Sequence, residues 1–231
     1  MNLARRGLFI AAATLAAAKA HAASNELALM CDVTLGAPLR RAAEAYRAST
    51  GVRITVFPTA PGLIVPMLSR DVLVDIVMTR PATLEQARKA GLLKDGPAFA
   101  AWRSPLLVAR GPAGGDKFAV SELPDASGID AQAALAALRI AQDRILSAID
   151  TADVAFLLNT GAAANGLMYL TDAKANPELR IVQTLTDPPP ATFGAAIAKG
   201  SGRPNQAGFL GFLGETAIRA LLNDNGLETA A

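Results

Sequence analysis

The sequence predicts an α/β protein of two lobes, each a mostly parallel sheet flanked by helices, with a cleft between the lobes. Three observations predict it. Short apolar runs rich in β-branched residues alternate with segments whose apolar residues recur at helical spacing. Two stretches rich in proline and glycine interrupt that alternation, where the chain leaves one body and later returns to it. The chain after its first two dozen residues is about 208 residues rich in Ala, Leu and Val, enough to bury one large core or two small ones.

Residues 27–31 read as a strand, 38–49 carry apolar residues at helical spacing, and 52–57 alternate as the next strand. This is a βαβ unit, whose crossover should be right-handed. Residues 61–69 form a short helix, 74–78 a buried strand, and 83–90 a helix closed by Gly91, a C′ glycine. The alternation repeats with strands at 105–109 and 118–120, a helix at 130–139, a strand at 145–149, a helix at 152–160 and a strand at 166–170. Such a pattern argues for parallel sheets with helices on both faces. The first passage between lobes is expected at the strand 106–109, before Gly111-Pro112-Ala113-Gly114-Gly115. The return is expected at Asp187-Pro188-Pro189-Pro190, whose prolines stiffen an extended connector. One lobe then comprises residues 24–107 with 190–231, and the other 108–189. Residues 205–225 close the chain as a helical pair with Phe209, Phe212 and Leu213 on one side, read as core.

Residues 1–23 are set apart from this fold. Arg5-Arg6, the apolar stretch from Gly7 to Ala18 and the small-residue spacing Ala20-His21-Ala22 read as a cleavable secretory signal, for either the general or the twin-arginine route. The apolar stretch is on the order of a dozen residues, short of the ~20 a spanning helix needs, so the mature chain is expected to be soluble, without stable membrane insertion. Removing residues 1–22 takes away Arg5, Arg6 and Lys19 and no acid, so 22 basic and 20 acidic residues become 19 and 20. The mature chain is almost neutral, and a nucleic-acid partner loses its electrostatic footprint. The only histidine, His21, leaves with the signal, and Cys31 is the only thiol. Zinc clusters, disulfide frameworks and Ser-His-Asp chemistry are thereby all but removed. No nucleophile–base pair or carboxylate pair stands in a motif context, so the chain reads as a non-enzyme that needs no cofactor and no metal site. Cys31 reads as a structural, partly buried cysteine at a strand end rather than a lipid acceptor. Met30 is too large for the position before a lipidated cysteine, and polar Ser24-Asn25-Glu26 separates it from the apolar run.

A set of landmarks in fixed order then gives a family likeness. They are Thr34-Leu35 opening the first helix, Ala45-Tyr46 to Thr50-Gly51-Val52, the strand into Phe57, Val74-Asp75-Ile76 and Gly91-Leu92. Gly166-Leu167-Met168-Tyr169-Leu170-Thr171-Asp172-Ala173 follows, and Ala207-Gly208-Phe209-Leu210-Gly211-Phe212-Leu213 runs to Asn225-Gly226. Over nearly the whole mature chain this resembles the periplasmic molybdate-binding proteins of ABC transporters, within the type II solute-binding proteins. The resemblance implies a two-lobed type II periplasmic binding protein, a monomer in the periplasm that captures molybdate or tungstate and delivers it to an ABC permease. In that family the dianion is held by hydroxyls and backbone amides, without a charged side chain. Helix N-termini make this workable, because their unpaired N–H groups and partial positive charge favour anions without Lys or Arg.

By position, the resemblance places the first ligand hydroxyl on Thr34. A Thr at a helix start is also an ordinary N-cap, so the residue alone leaves both roles open. The second position falls on Ala60, where the family usually has Ser; its N–H remains a donor, Thr59 offers a hydroxyl one place away, and Pro61 has no N–H. In the second lobe the matching positions are Ser127, through its amide, Thr151 and Tyr169. Asp150-Thr151 also reads as simple helix capping, and Tyr169 equally as a core tyrosine. Asp75 and Asp172 read as structural, because a carboxylate in direct contact would repel an oxyanion. The chain between Ala109 and Ile149 is shorter than the family norm. The loss of the Ser hydroxyl at Ala60 keeps a second ligand class open, another oxyanion or a small organic acid, and the sequence does not separate transport from a sensory role beside a membrane signalling partner.

Overall fold

The computed structural model describes residues 25–70, 72–96, 99–122 and 126–229. The proposed export segment of residues 1–23 lies outside them. The first βαβ unit is β1 (Glu26–Asp32), α1 (Gly36–Thr50) and β2 (Arg53–Thr59), joined by a 3-10 turn over Val33–Leu35. β1 is buried on both faces: Leu27, Leu29 and Cys31 enter one core and Met30 the other, as the two-residue period of a central strand requires. Burial pushes the Cys31 thiol far above its ordinary range, which suits an inert packing residue. α1 buries Leu39, Ala42, Ala43 and Tyr46 along one stripe and ends at Gly51, whose positive φ of 76° lets its N–H reach the Arg47 carbonyl. α2 (Pro61–Leu68), β3 (Ile76–Thr79) and α3 (Pro81–Lys89) follow, each helix opening on a proline whose missing N–H costs nothing at that position. β4 (Phe99–Ser104) completes this passage through the first lobe.

The exchange to the second lobe takes one residue, Pro105. β5 (Leu106–Arg110) already belongs to the second sheet, so the strand expected at the first passage follows it, and Gly111 to Gly115 is a loop within the second lobe. β6 (Phe118–Ser121), α4 (Ala126–Leu138), β7 (Ile145–Ala148), α5 (Thr151–Asn159), β8 (Asn165–Tyr169), α6 (Leu170–Ala175) and β9 (Arg180–Thr184) build that lobe. The chain returns through the proline run, which includes a cis Asp187–Pro188 bond, to β10 (Ala191–Ile197), α7 (Gln206–Phe212), α8 (Thr216–Asp224) and β11 (Glu228–Thr229).

The strand orders are β11-β4-β10-β3-β1-β2 and β7-β6-β8-β5-β9. Both sheets are mixed. β2, β1 and β3 run parallel, as do β7, β6 and β8, and these are the helix-connected strands the sequence pattern foresees. β10, β4, β11, β5 and β9 add antiparallel edges. The strands that carry the chain between lobes have no crossover helix of their own, and antiparallel pairing needs none. β4, β9 and β10 are absent from the sequence expectation for a physical reason. β4 and β10 are largely Ala and other small residues of low strand propensity, and every residue of β9 is exposed, so no apolar alternation marks it.

One core runs across both lobes and includes Trp102, Tyr169, Phe193 and Phe209, and Tyr46 packs edge-on against Phe209 and Phe212. The closing loop is fixed by Gly226. It has φ 81°, and a Cβ there would lie 2.6 Å from the Leu170 carbonyl carbon, so the loop packs directly on the start of α6.

Candidate functional site

The ends of β1 and β8 and the start of α5 meet where the lobes touch. At the end of β1 the Asp32 carboxylate accepts the Thr34 N–H at 3.2 Å and holds the 3-10 turn. That leaves the Thr34 hydroxyl free of capping duty. It points to the other lobe, where it lies 3.3 Å from the Thr151 hydroxyl and donates to Asp172 Oδ2 at 3.4 Å. Thr151 is the first residue of α5, and its capping is likewise done by a neighbour: Asp150 accepts the N–H groups of Ala152 and Asp153 at 2.9 and 3.0 Å. The Thr151 hydroxyl hydrogen-bonds Asp172 as well. Two buried threonines from different lobes therefore aim their hydroxyls at one point, beside the N-termini of α1 and α5.

Asp172 sits in the first turn of α6, where its carboxylate also accepts the Tyr169 N–H at 3.3 Å. Its pKa is raised to about 7: burial dominates, Thr151 and the Tyr169 N–H oppose it, and Asp32 and Asp150 add to it. A cleft of ≈ 430 Å³ opens beside this cluster, lined among others by Thr34, Gly36, Arg40, Phe156, Asn159 and Asp172.

A second interlobe contact lies at the N-cap of α3. Arg80 pairs with Asp130 of α4 at 2.9 Å and donates to the Tyr169 hydroxyl at 2.5 Å, and that hydroxyl donates to Asp130 at 2.7 Å. The guanidinium also lies over the rings of Tyr169 and Phe193, 5.3 and 5.2 Å from their centroids. Burial works against the charge on Arg80, but Tyr169 and Asp130 outweigh it and hold its pKa above the ordinary value. Burial likewise raises the Tyr169 phenol, so it is a neutral donor. Among the described residues, buried Arg80 Nε, Thr79 Oγ1 and Ser121 Oγ have no hydrogen-bond partner.

A family model described as bacterial extracellular solute-binding protein matches residues 27–228. The chain belongs to this family. Among solved structures, the periplasmic molybdate-binding protein of Azotobacter vinelandii is similar at 17% identity and a TM-score of 0.76, covering 89% of this chain and 100% of that one. A substrate binding domain ascribed to a molybdenum ABC transporter of Clostridium difficile is similar at 19% identity and a TM-score of 0.69, covering 89% and 99%. The sulfate-binding protein SubI of Mycobacterium tuberculosis is similar at 14% identity and a TM-score of 0.69, covering 89% and 87%. At these identities the likeness is one of fold, the two-lobed periplasmic binding protein. No curated protein matches the chain in sequence.

In this solute-binding protein the structure brings Thr34 and Thr151 together and places Tyr169 in the neighbouring contact with Arg80 and Asp130. Ser127 is buried in the first turn of α4. The Thr59 hydroxyl donates to the Phe57 carbonyl at 3.2 Å, and Ala60 is the half-buried N-cap of α2. Asp75 accepts from the Ala28 N–H and the Ser201 hydroxyl and lies 3.7 Å from Arg203, at the opposite end of β3. Arg80, Asp130 and the contact of Asp172 with both threonines are what sequence reasoning missed. The available signals were the helix start at Arg80-Pro81 and the three-residue spacing of Tyr169 and Asp172, both of which read as helix boundaries alone. Among the described residues no helix is long and apolar enough to cross a membrane.

Proposed function

We propose that this chain is exported by its first 23 residues, binds a tetrahedral oxyanion such as molybdate or tungstate between its lobes, and delivers it to an ABC permease. The observation that carries the reading is the 3.3 Å approach of the Thr34 and Thr151 hydroxyls, each beside a helix N-terminus and each from its own lobe. Such donors suit an anion, and a ligand that engages both is bound only when the lobes are together. On this reading Thr34 and Thr151 donate hydroxyls, and Ser127 and Ala60 contribute backbone N–H groups. Thr59 and Tyr169 supply the remaining hydroxyls once the ligand reorganises the cleft. The protein acts as a periplasmic monomer without catalysis, metal site or cofactor. Native mass spectrometry of the mature protein against molybdate, tungstate, sulfate and phosphate tests it. One molybdate or tungstate per chain is expected, and a protein that binds none of the four anions would overturn the assignment.

A second reading keeps the fold and changes the ligand to a small organic acid. One observation favours it: Ala60 offers no hydroxyl where the resemblance expects one. The same mass-spectrometric screen extended to short carboxylic acids separates the two.

A further inference from the structure

Asp172 stands where the proposed ligand would need to be received. Its Oδ2 takes the Thr34 hydroxyl, and the Thr151 hydroxyl also bonds this carboxyl. The two donors assigned to an incoming oxyanion are thus already spent on an anion that the protein carries. A dianion placed against the same hydroxyls would lie in contact with this carboxyl, and two like charges at that separation in a poorly solvated site repel by several kcal/mol. One proton removes the conflict. A neutral carboxyl no longer competes for the hydroxyls and becomes a donor itself.

We infer that Asp172 is an internal stand-in for the ligand, and that capture of an oxyanion at Thr34 and Thr151 is coupled to uptake of one proton by its carboxyl. The balance is simple: carboxylate, solvent proton and dianion give a carboxylic acid whose O–H donates to a ligand oxygen, with no other bond made or broken. The inference rests on the oxyanion reading given above. The charged groups facing Asp172 support it. Asp32 at the end of β1 and Asp150 at the start of α5 both disfavour its ionisation. Arg40 of α1 lines the same cleft, Lys174 on its own helix is exposed, and Arg80 is already engaged with Asp130. The carboxyl titrates at about 7, so the coupling falls in a range the periplasm visits. The arrangement also discriminates: an oxyanion that retains its own proton can give it to ionised Asp172 and needs none from solvent.

Calorimetry of the mature protein with molybdate and with sulfate, in two buffers of different ionisation enthalpy, counts the protons directly and needs no variant. The expected result is uptake approaching one proton per ligand above about pH 7, with affinity falling about tenfold per pH unit there and levelling below. Asp172→Asn, whose amide donates without titrating, should bind the same anions with no pH slope over that range. Binding without proton uptake, or an unchanged slope in Asp172→Asn, would overturn the coupling and leave the oxyanion site standing. Failure of every oxyanion to bind at any pH would overturn both.

Discussion

Replacing Arg80 tests whether the contact between the lobes is an energetic part of the fold. Arg80→Met keeps most of the apolar volume and removes the guanidinium. The change deletes the 2.9 Å pair with Asp130, the hydrogen bond to the Tyr169 hydroxyl and the cation–π contacts with Tyr169 and Phe193. Breaking a fully buried ion pair by removing one partner costs about 3–5 kcal/mol. The side chains of Arg80 and Asp130 are 16% and 20% exposed, so water recovers part of that, and Asp130 keeps the Tyr169 hydroxyl as a donor. The cation–π contacts add about 0.5–1 kcal/mol each. The sum is about 3 kcal/mol, or a Tm lower by about 6–12 °C for a chain of this size. Urea denaturation with an unchanged m-value measures the loss, and a double-mutant cycle with Asp130→Asn isolates the pair. Because Arg80 belongs to the first lobe and Asp130 and Tyr169 to the second, the radius of gyration in solution should rise as well. A loss under about 1 kcal/mol with no coupling would show that the contact is an exposed ion pair of ordinary, negligible worth and refute this reasoning.

Thr34→Ala should weaken oxyanion binding about ten- to a hundredfold, the loss of a hydrogen bond to a charged group, in a calorimetric titration. Because Asp32, and not the Thr34 hydroxyl, holds the helix start, the stability cost should be only that of the long bond to Asp172, about 1 kcal/mol, and a Tm drop with intact affinity would contradict the assignment. Asp172 has its folded-state pKa raised from 3.8 to about 7, so its contribution to stability is complete below the lower value and is lost as pH rises through the upper one. The unfolding free energy of Asp172→Asn relative to the parent should therefore grow between about pH 4 and 7, by on the order of 4 kcal/mol at most in denaturant titrations, and a pH-independent difference would refute it. Gly226→Ala should cost at least about 2 kcal/mol in denaturant titration, since its φ of 81° and the backbone of Leu170 both exclude a side chain.

Much of this fold is legible in the sequence because the parallel strands and their helices carry opposite periodicities. Residues 27–31 are apolar throughout and 74–78 are apolar but for Asp75, whereas 38–49 place Leu39, Ala42, Ala43 and Tyr46 on a single stripe. The antiparallel edges are not legible, because their pairing is set by where the chain re-enters each sheet. The site divides in the same way. Thr34 and Thr151 stand out as hydroxyls between a strand and a helix, although position alone favours capping for Thr34 and leaves it open for Thr151. The structure assigns that role to Asp32, and at the second helix to Asp150 rather than Thr151. Arg80, Asp130 and Asp172 act through partners 50, 39 and 138 residues away, and nothing local distinguishes them from residues at ordinary helix ends. Repulsion alone makes Asp172 structural in the sequence; burial, which the sequence does not reveal, is what raises its pKa to about 7.

Under the proposed function, two threonines from opposite lobes receive one anion. The most direct measurement is a crystal structure of the mature protein grown with tungstate, whose anomalous scattering locates the ligand independently of any assumed contact. The expected result is a single peak between the lobes with tungstate oxygens about 2.7–3.0 Å from the hydroxyls of both Thr34 and Thr151. A peak against Arg80 with the two threonines still bonded to Asp172, or no peak between the lobes at all, would contradict it.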